Sequence, residues 1–164
     1  MSFSQEFGFA ELHMPAVRRV LGELPAKIFF DINTAPIKRD MEEATDLVLS
    51  VSSGDIAVRI RRRKFYDRCI EKGYSLDWSI RVQSNGYRTE IDKLREGFAR
   101  FYFFAYSEDN KGGIVKWWLI DMDNVRDVDI LGENWPVFPN GDGTSGMYIP
   151  LSRVDVLGCV VVKG

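Results

Sequence analysis

Two β-rich stretches decide the fold class: Thr45-Asp-Leu-Val-Leu-Ser-Val51 and Ile56-Ala-Val-Arg-Ile-Arg-Arg62. Both contain several of the β-branched residues that strands favour. Between them lies Ser52-Ser-Gly-Asp55, a run of turn-forming residues, so the pattern predicts a hairpin with a short turn. Residues 76–83 alternate again and predict the third strand of an antiparallel meander.

Helical patterns lie on both sides of these strands. Apolar residues recur at roughly helical spacing over 9–24, which predicts an amphipathic N-terminal helix that is kinked or restarted at Pro15. A short helix is predicted over 38–44. Thr89 followed by Asp92 fits a capped helix start, so a further helix is expected there.

The second half of the chain predicts another hairpin and a loop-rich tail. Residues 101–106 are apolar and aromatic, which predicts a buried strand. Residues 108–113 are predicted to form the hairpin loop and 115–121 the second strand of the hairpin. The tail, 132–164, is rich in proline and glycine at its start and ends with a predicted strand over 156–162.

Length and composition fit one globular domain. The chain has 164 residues, against about 150 per domain, with 45% apolar and 28% charged residues. The order of elements predicts the α/β (α+β) class, with a core over 38–126 in which helices flank a central mixed sheet containing the antiparallel meander. The net charge of −2 means that a nucleic-acid surface has to be a local patch.

Cysteines and hydropathy indicate the compartment. Cys69 and Cys159 are too few for a disulfide framework or a structural zinc site, so a reducing environment is expected. The first six residues lack the basic and apolar pattern of a secretion signal, and no run of about 18 apolar residues occurs. We therefore expect a cytoplasmic protein with no membrane partner.

Aspartates fall at the boundaries of the predicted strands. Asp40 lies on the short helix, Asp46 near the start of the first meander strand, Asp55 at the start of the second and Asp77 near the start of the third. Carboxylates that converge from such positions can hold a divalent metal ion that activates water. Aspartate is also common in turns for local reasons, and this alternative stays open.

The layout of residues 38–126 resembles the restriction-endonuclease-like superfamily, whose motif is written PD-(D/E)XK. In that family a helix acid, a strand aspartate and an acid-x-lysine strand bind magnesium and orient the attacking water. The resemblance implies that Asp40 is the helix acid and Asp46 the motif aspartate. It also implies a protein that binds nucleic acid, with DNA favoured over RNA and the choice between them left open, and that hydrolyses phosphodiester bonds with Mg²⁺; such a small nuclease would suit a phage or mobile element.

The acid-x-lysine element departs from the family pattern. In one register Ala57-Val-Arg59 occupies it; in the other Ser79-Ile-Arg81 does, and Asp55 then matches the motif aspartate. The resemblance thus gives Asp46 and Asp55 as the metal ligands of the two registers. Arginine grips phosphate but does not readily lose a proton to act as a base. The alternative function is therefore a non-catalytic binding or inhibitory protein on the same scaffold.

Glu90 and Lys93 can replace the missing pair. They are three residues apart on the predicted helix and share one face near the end of the third strand. If both side chains turn toward the sheet, they supply a carboxylate and an ammonium to the site. The alternative is a solvated intrahelical ion pair.

Arginines form a second candidate feature. Arg59, Arg61 and Arg63 alternate along the predicted second strand, so they point to one face. With Arg81 and Lys64 they would make a stripe that binds phosphate without reading sequence. The alternative is a charged strand that resists aggregation.

Self-association is a third interpretation. The aromatic strands over 101–106 and 115–119 would then lie at the interface of a homodimer or larger structural assembly.

Overall fold

The computed structural model of the chain describes residues 3–24, 32–34, 47–49, 54–83, 88–108, 112–140 and 143–164. These residues form five α-helices: α1 (Phe3–Gly22), α2 (Arg63–Lys72), α3 (Glu90–Arg95), α4 (Met122–Asp127) and α5 (Leu151–Val156). Their strands are β1 (Ile32–Thr34), β2 (Leu47–Leu49), β3 (Gly54–Arg61), β4 (Asp77–Gln83), β5 (Phe101–Glu108), β6 (Gly113–Asp121), β7 (Val137–Pro139), β8 (Ser145–Pro150) and β9 (Val160–Lys163).

The strands form two sheets. The larger has six strands in the order β1-β2-β3-β5-β6-β9, and the smaller has three in the order β4-β8-β7. The larger sheet is mixed because β3 and β5 run parallel, whereas its other described pairs are antiparallel. The predicted mixed α and β class is confirmed at this level, and the restriction-endonuclease-like fold stays a prediction.

The predicted meander is only partly correct. β2 and β3 form the expected antiparallel pair, with Leu47 opposite Ile56. The third strand was wrongly placed, because β4 pairs with β8 in the smaller sheet. The ten-residue helix α2 separates β3 from β4 in the chain, and β5 occupies the place beside β3. The alternation of arginines up to Arg63 predicts a strand that continues to that residue, whereas α2 begins there.

The hydrophobic core lies on both faces of the larger sheet. On one face α1 packs with Val17 and Leu21 against Phe103 of β5. On the other face the smaller sheet packs with Trp78 against Tyr102, which also lies on β5. Successive residues of β5 therefore serve opposite cores, as the alternation of side chains along a strand requires.

β5 is the most buried strand of the described chain. All six residues from Tyr102 to Ser107 are fully buried. This confirms the prediction of a buried strand over 101–106. The chain's own fold covers this strand, and association into a homodimer stays a prediction.

The two ends of the chain differ from the sequence prediction. α1 continues through Pro15 instead of restarting there, and it begins before residue 9. The terminal strand predicted over 156–162 begins only at Val160, because α5 occupies Leu151–Val156. Gly158, at φ +71°, makes the turn between them. The helix predicted over 38–44 lies outside the described residues.

Within the described ranges, no helix combines the length and apolar character needed to cross a membrane.

Candidate functional site

Glu90 is the point at which three separate strands meet. One oxygen of its carboxylate, Oε2, accepts hydrogen bonds from Arg59 Nη1 on β3 at 2.5 Å and from the backbone N–H of Arg81 on β4 at 2.8 Å. The other, Oε1, accepts from the hydroxyl of Tyr102 on β5. We call this group, made of Glu90, Arg59, Tyr102 and the Arg81 amide, the Glu90 centre.

The local sequence of α3 fixes where Glu90 points. Thr89 caps the helix in a capping box with Asp92: the Asp92 amide donates to the Thr89 hydroxyl at 3.3 Å and the Thr89 amide to Asp92 Oδ2 at 3.1 Å. The Thr89 hydroxyl also donates to Asp92 Oδ2, and this hydrogen bond, together with the one from the Thr89 amide, lowers the pKa of Asp92. Ile91 and Leu94 are buried, so α3 is anchored with Glu90 facing the sheet.

The Arg59–Glu90 pair is largely withdrawn from water. The exposed fractions of the two side chains are 30% and 15%. Burial by itself lowers the pKa of Arg59, but the charge of Glu90, the neighbouring Tyr102 and their hydrogen bonds outweigh it, so the pKa is raised. The guanidinium is therefore firmly charged beside the carboxylate.

Glu90 contacts one residue from each of the two sequence segments that were considered for the acid-x-lysine element. Arg59 reaches Glu90 with its side chain, and Arg81 reaches it through its backbone. The Glu90 side chain turns toward the sheet, as a role in the predicted site requires. Lys93 lies one turn along α3 and is half-buried, but it is not among the three donors to Glu90 described above.

The predicted aspartates are divided between described and undescribed parts of the chain. Asp55 is the second residue of β3 and lies on the same strand face as Arg59, and its backbone carbonyl accepts from the Arg100 amide at 3.0 Å. Asp40 and Asp46 lie outside the described residues. Asp77 begins β4, where burial raises the pKa of its carboxyl although the Ser75 hydroxyl and the Arg61 charge oppose this.

Magnesium fits the Glu90 centre only in part. Glu90 is a suitable oxygen ligand, but three donors already engage its carboxylate, and one of them is the Arg59 cation. Among the residues that the structure describes, no three histidine, cysteine or acidic side chains cluster as a metal ion would need. These residues alone do not make a magnesium site, and the ligand pair Asp46 and Asp55 stays a prediction.

Four consecutive cations lie at the junction of β3 and α2: Arg61, Arg62, Arg63 and Lys64. We call them the basic corner. The predicted alternation of Arg59, Arg61 and Arg63 along one strand is wrong in its last member, because β3 ends at Arg61 and Arg63 begins α2. The chain turns at Arg62, so the cations surround a corner instead of forming a flat stripe.

The side chains of the basic corner have different surroundings. Arg63 Nε lies 2.7 Å from Asp67 Oδ1, and the Arg62 guanidinium lies over the ring of Phe9 at 4.4 Å. Lys64 is exposed. The first turn of α2 contains no acidic residue, and the Arg62 side chain makes no capping hydrogen bond to it in the described structure.

Sequence reasoning missed the aromatic residues around Arg61. Its Cζ atom lies 4.3 Å from the ring centroid of Phe65 and 5.3 Å from that of Tyr148. Tyr148 in turn contacts Phe138. Two of these aromatics belong to the tail, more than seventy positions after Arg61, and no local pattern connects them to it. The one sequence signal for this cluster is the presence of aromatic residues in a tail that is predicted to be rich in loops.

Comparison with models of known protein families gives no match, and comparison with curated proteins also gives none.

Proposed function

We propose that the protein binds DNA through the basic corner, with the Glu90 centre beside it. The observation that carries the proposal is the concentration of four cations at one turn of a chain whose net charge is −2. Arg59 and Arg61 are alternate residues of β3, so they point to the same face about 7 Å apart. The centre therefore lies directly beside the corner along β3.

The placement of the basic corner favours an anionic ligand. The amino end of a helix carries a partial positive charge, and basic side chains there are unfavourable by about 0.3 to 1 kcal/mol each. The start of α2 has such residues and no acid in its first turn. A phosphate group bound at this end would relieve that repulsion, and a nucleic-acid backbone supplies phosphates in series.

The test is salt-dependent binding of a fluorescent DNA duplex, followed by anisotropy. If the four cations of the corner contact phosphates, affinity falls about 100-fold between about 50 and 200 mM salt. Lys64→Glu should weaken binding at low salt by at least about tenfold and flatten the salt dependence, because it removes one contact and adds a repulsive charge.

Lys72→Glu is the matched control. Lys72 is exposed like Lys64 but lies in the last turn of the same helix, at the end away from the corner. This variant makes the same change in net charge, so it should leave affinity within about twofold of the parent protein. Equal effects of the two substitutions, or binding by neither the parent nor the variants, would contradict the proposal.

Metal-dependent cleavage of the bound DNA is the second candidate. It is favoured by the turn of Glu90 toward the sheet, where its carboxylate lies beside Arg59. Mg²⁺ held by Glu90 with Asp46 and Asp55 would activate a water molecule for attack on phosphorus. Arg59 would then be placed to contact the phosphate that is cleaved.

Nicking of supercoiled plasmid with and without Mg²⁺ tests this second candidate. Glu90→Gln, Asp46→Asn and Asp55→Asn should each abolish nicking, whereas Glu96→Gln, at the exposed end of α3, should retain it. Circular dichroism checks that each variant is folded. DNA binding without nicking in the parent protein would instead favour the non-catalytic alternative.

A further inference from the structure

A continuous row of aromatic and cationic side chains extends from the tail to α2. The ring centroids of Phe138 and Tyr148 lie 5.7 Å apart, and the Tyr148 centroid lies 5.3 Å from Arg61 Cζ. Arg61 Cζ is 4.3 Å from the ring of Phe65, which is 5.3 Å from Lys64 Nζ. We call these five residues the aromatic row.

The aromatic row is open to solvent at both ends. Phe138 is 57% exposed and Lys64 is exposed, whereas Arg61, Phe65 and Tyr148 are half-buried. The middle of the row is thus held in place by its neighbours, and the end ring offers one of the more exposed aromatic surfaces of the described chain. Contiguous apolar surface bordered by polar groups marks a binding surface, and here the Phe138 ring adjoins Tyr148, which adjoins the Arg61 cation.

The backbone of the smaller sheet creates this arrangement. Phe138 of β7 pairs with Gly146 of β8, two residues before Tyr148. A Cβ atom at Gly146 would lie 3.4 Å from the Tyr148 hydroxyl, so the ring of Tyr148 lies across this glycine. The absent side chain leaves room for the two rings to meet at an interplanar angle of 61°.

We infer that the aromatic row binds unpaired bases of single-stranded DNA. Bases stack on Phe138 and Tyr148, while Arg61 and Lys64 contact the phosphates between them. The inference rests on the proposed DNA binding at the basic corner and adds a preference for single strands. Aromatic rings beside cations favour this ligand because single strands offer base faces for stacking, whereas a duplex keeps its bases stacked inside.

The test compares a single-stranded oligonucleotide with the duplex of the same sequence, by anisotropy at one salt concentration. Phe138→Ala should weaken single-strand binding about tenfold, since one stacking contact is lost, and leave duplex binding within about twofold. Val137→Ala is the matched control: it removes the neighbouring exposed side chain of β7 and should change neither affinity. Tyr148→Leu, which keeps an apolar side chain, should also weaken single-strand binding selectively.

Three outcomes would separate this inference from the proposed function. If Phe138→Ala and Tyr148→Leu leave single-strand binding unchanged while Lys64→Glu still weakens duplex binding, the stacking inference fails and the basic corner stands. If the two aromatic substitutions weaken duplex and single strand equally, the preference for unpaired bases is also overturned. If the parent protein binds neither DNA, both proposals fail together.

Discussion

At the scale of single residues, Glu90 joins two sheets that have no strand in common. Its carboxylate accepts from Arg59 and Tyr102 in the larger sheet and from the Arg81 amide in the smaller one. Each donor is too far along the chain to be recognised by spacing. The position of Glu90 on a helix face could be predicted, because a helix is determined by residues three or four positions apart. Its hydrogen-bond partners could not be predicted, because they depend on how the two sheets pack.

Glu90→Gln should lower the free energy of unfolding by about 2 kcal/mol. The substitution leaves the Arg59 guanidinium without a counter-charge in a site that is mostly withdrawn from water. Urea denaturation measures the change. The control is Glu96→Gln, which breaks the pair with Arg88; those side chains are 52% and 41% exposed, so the loss should stay below about 1 kcal/mol. Equal losses of stability in the two variants would mean that burial of the Arg59–Glu90 pair does not contribute to stability.

Tyr106 should make stability fall in alkaline solution. Its hydroxyl donates to the Asp77 carbonyl at 3.1 Å, and burial raises its pKa to about 12 from 10.0. Between these pH values the unfolded chain loses the proton that the folded chain keeps, so rising pH favours unfolding.

Tyr106→Phe has no such proton to lose. From pH 10 to pH 12 it should therefore lose about 2 kcal/mol less stability than the parent protein, as measured by urea denaturation at each pH. Tyr74→Phe, which removes an exposed hydroxyl, is the control. Parallel pH profiles for Tyr106→Phe and the parent would refute the assignment.

At the scale of elements, short-range signals could be predicted and long-range pairings could not. The capped start of α3 follows from Thr89 and Asp92, which lie within one turn. The predicted place of β4 in the meander was wrong. Its alternating pattern is the same whichever sheet it joins, and its partner β8 lies some seventy residues later in the chain. Local pattern determines that a strand forms, whereas packing determines its neighbour.

Thr89→Ala should lower the free energy of unfolding by about 1 kcal/mol near neutral pH, because the Thr89 hydroxyl no longer accepts from the Asp92 amide or donates to Asp92 Oδ2. The hydrogen bond from the Thr89 hydroxyl holds the pKa of Asp92 below its ordinary value of 3.8, so its contribution is complete above that pH and disappears as the pH falls through the lowered value. The difference between parent and variant in urea denaturation should accordingly shrink in acid. A difference that stays constant with pH would show that Asp92 does not take part in the cap.

At the scale of the whole molecule, β5 connects the two cores. Phe103 packs with α1 on one face, and Phe104 packs with the smaller sheet on the other. The fold class could be predicted from the order of helices and strands in the sequence. The three-layer arrangement could not, because it depends on which face of each strand packs against which layer. A shared central strand couples the layers, since neither core can lose its side of β5 without disturbing the other.

Phe103→Ala and Phe104→Ala should each lower the free energy of unfolding by about 3 to 5 kcal/mol, since each leaves a cavity beside β5. Because the two cores share this strand, both variants should still unfold in one transition, with coincident curves from tryptophan fluorescence and far-ultraviolet circular dichroism. Val156→Ala, at a position 80% exposed, should change stability by less than about 0.5 kcal/mol. Separate transitions for the two probes would show that α1 and the smaller sheet unfold independently, and the prediction of a single domain over residues 1–164 would then be wrong.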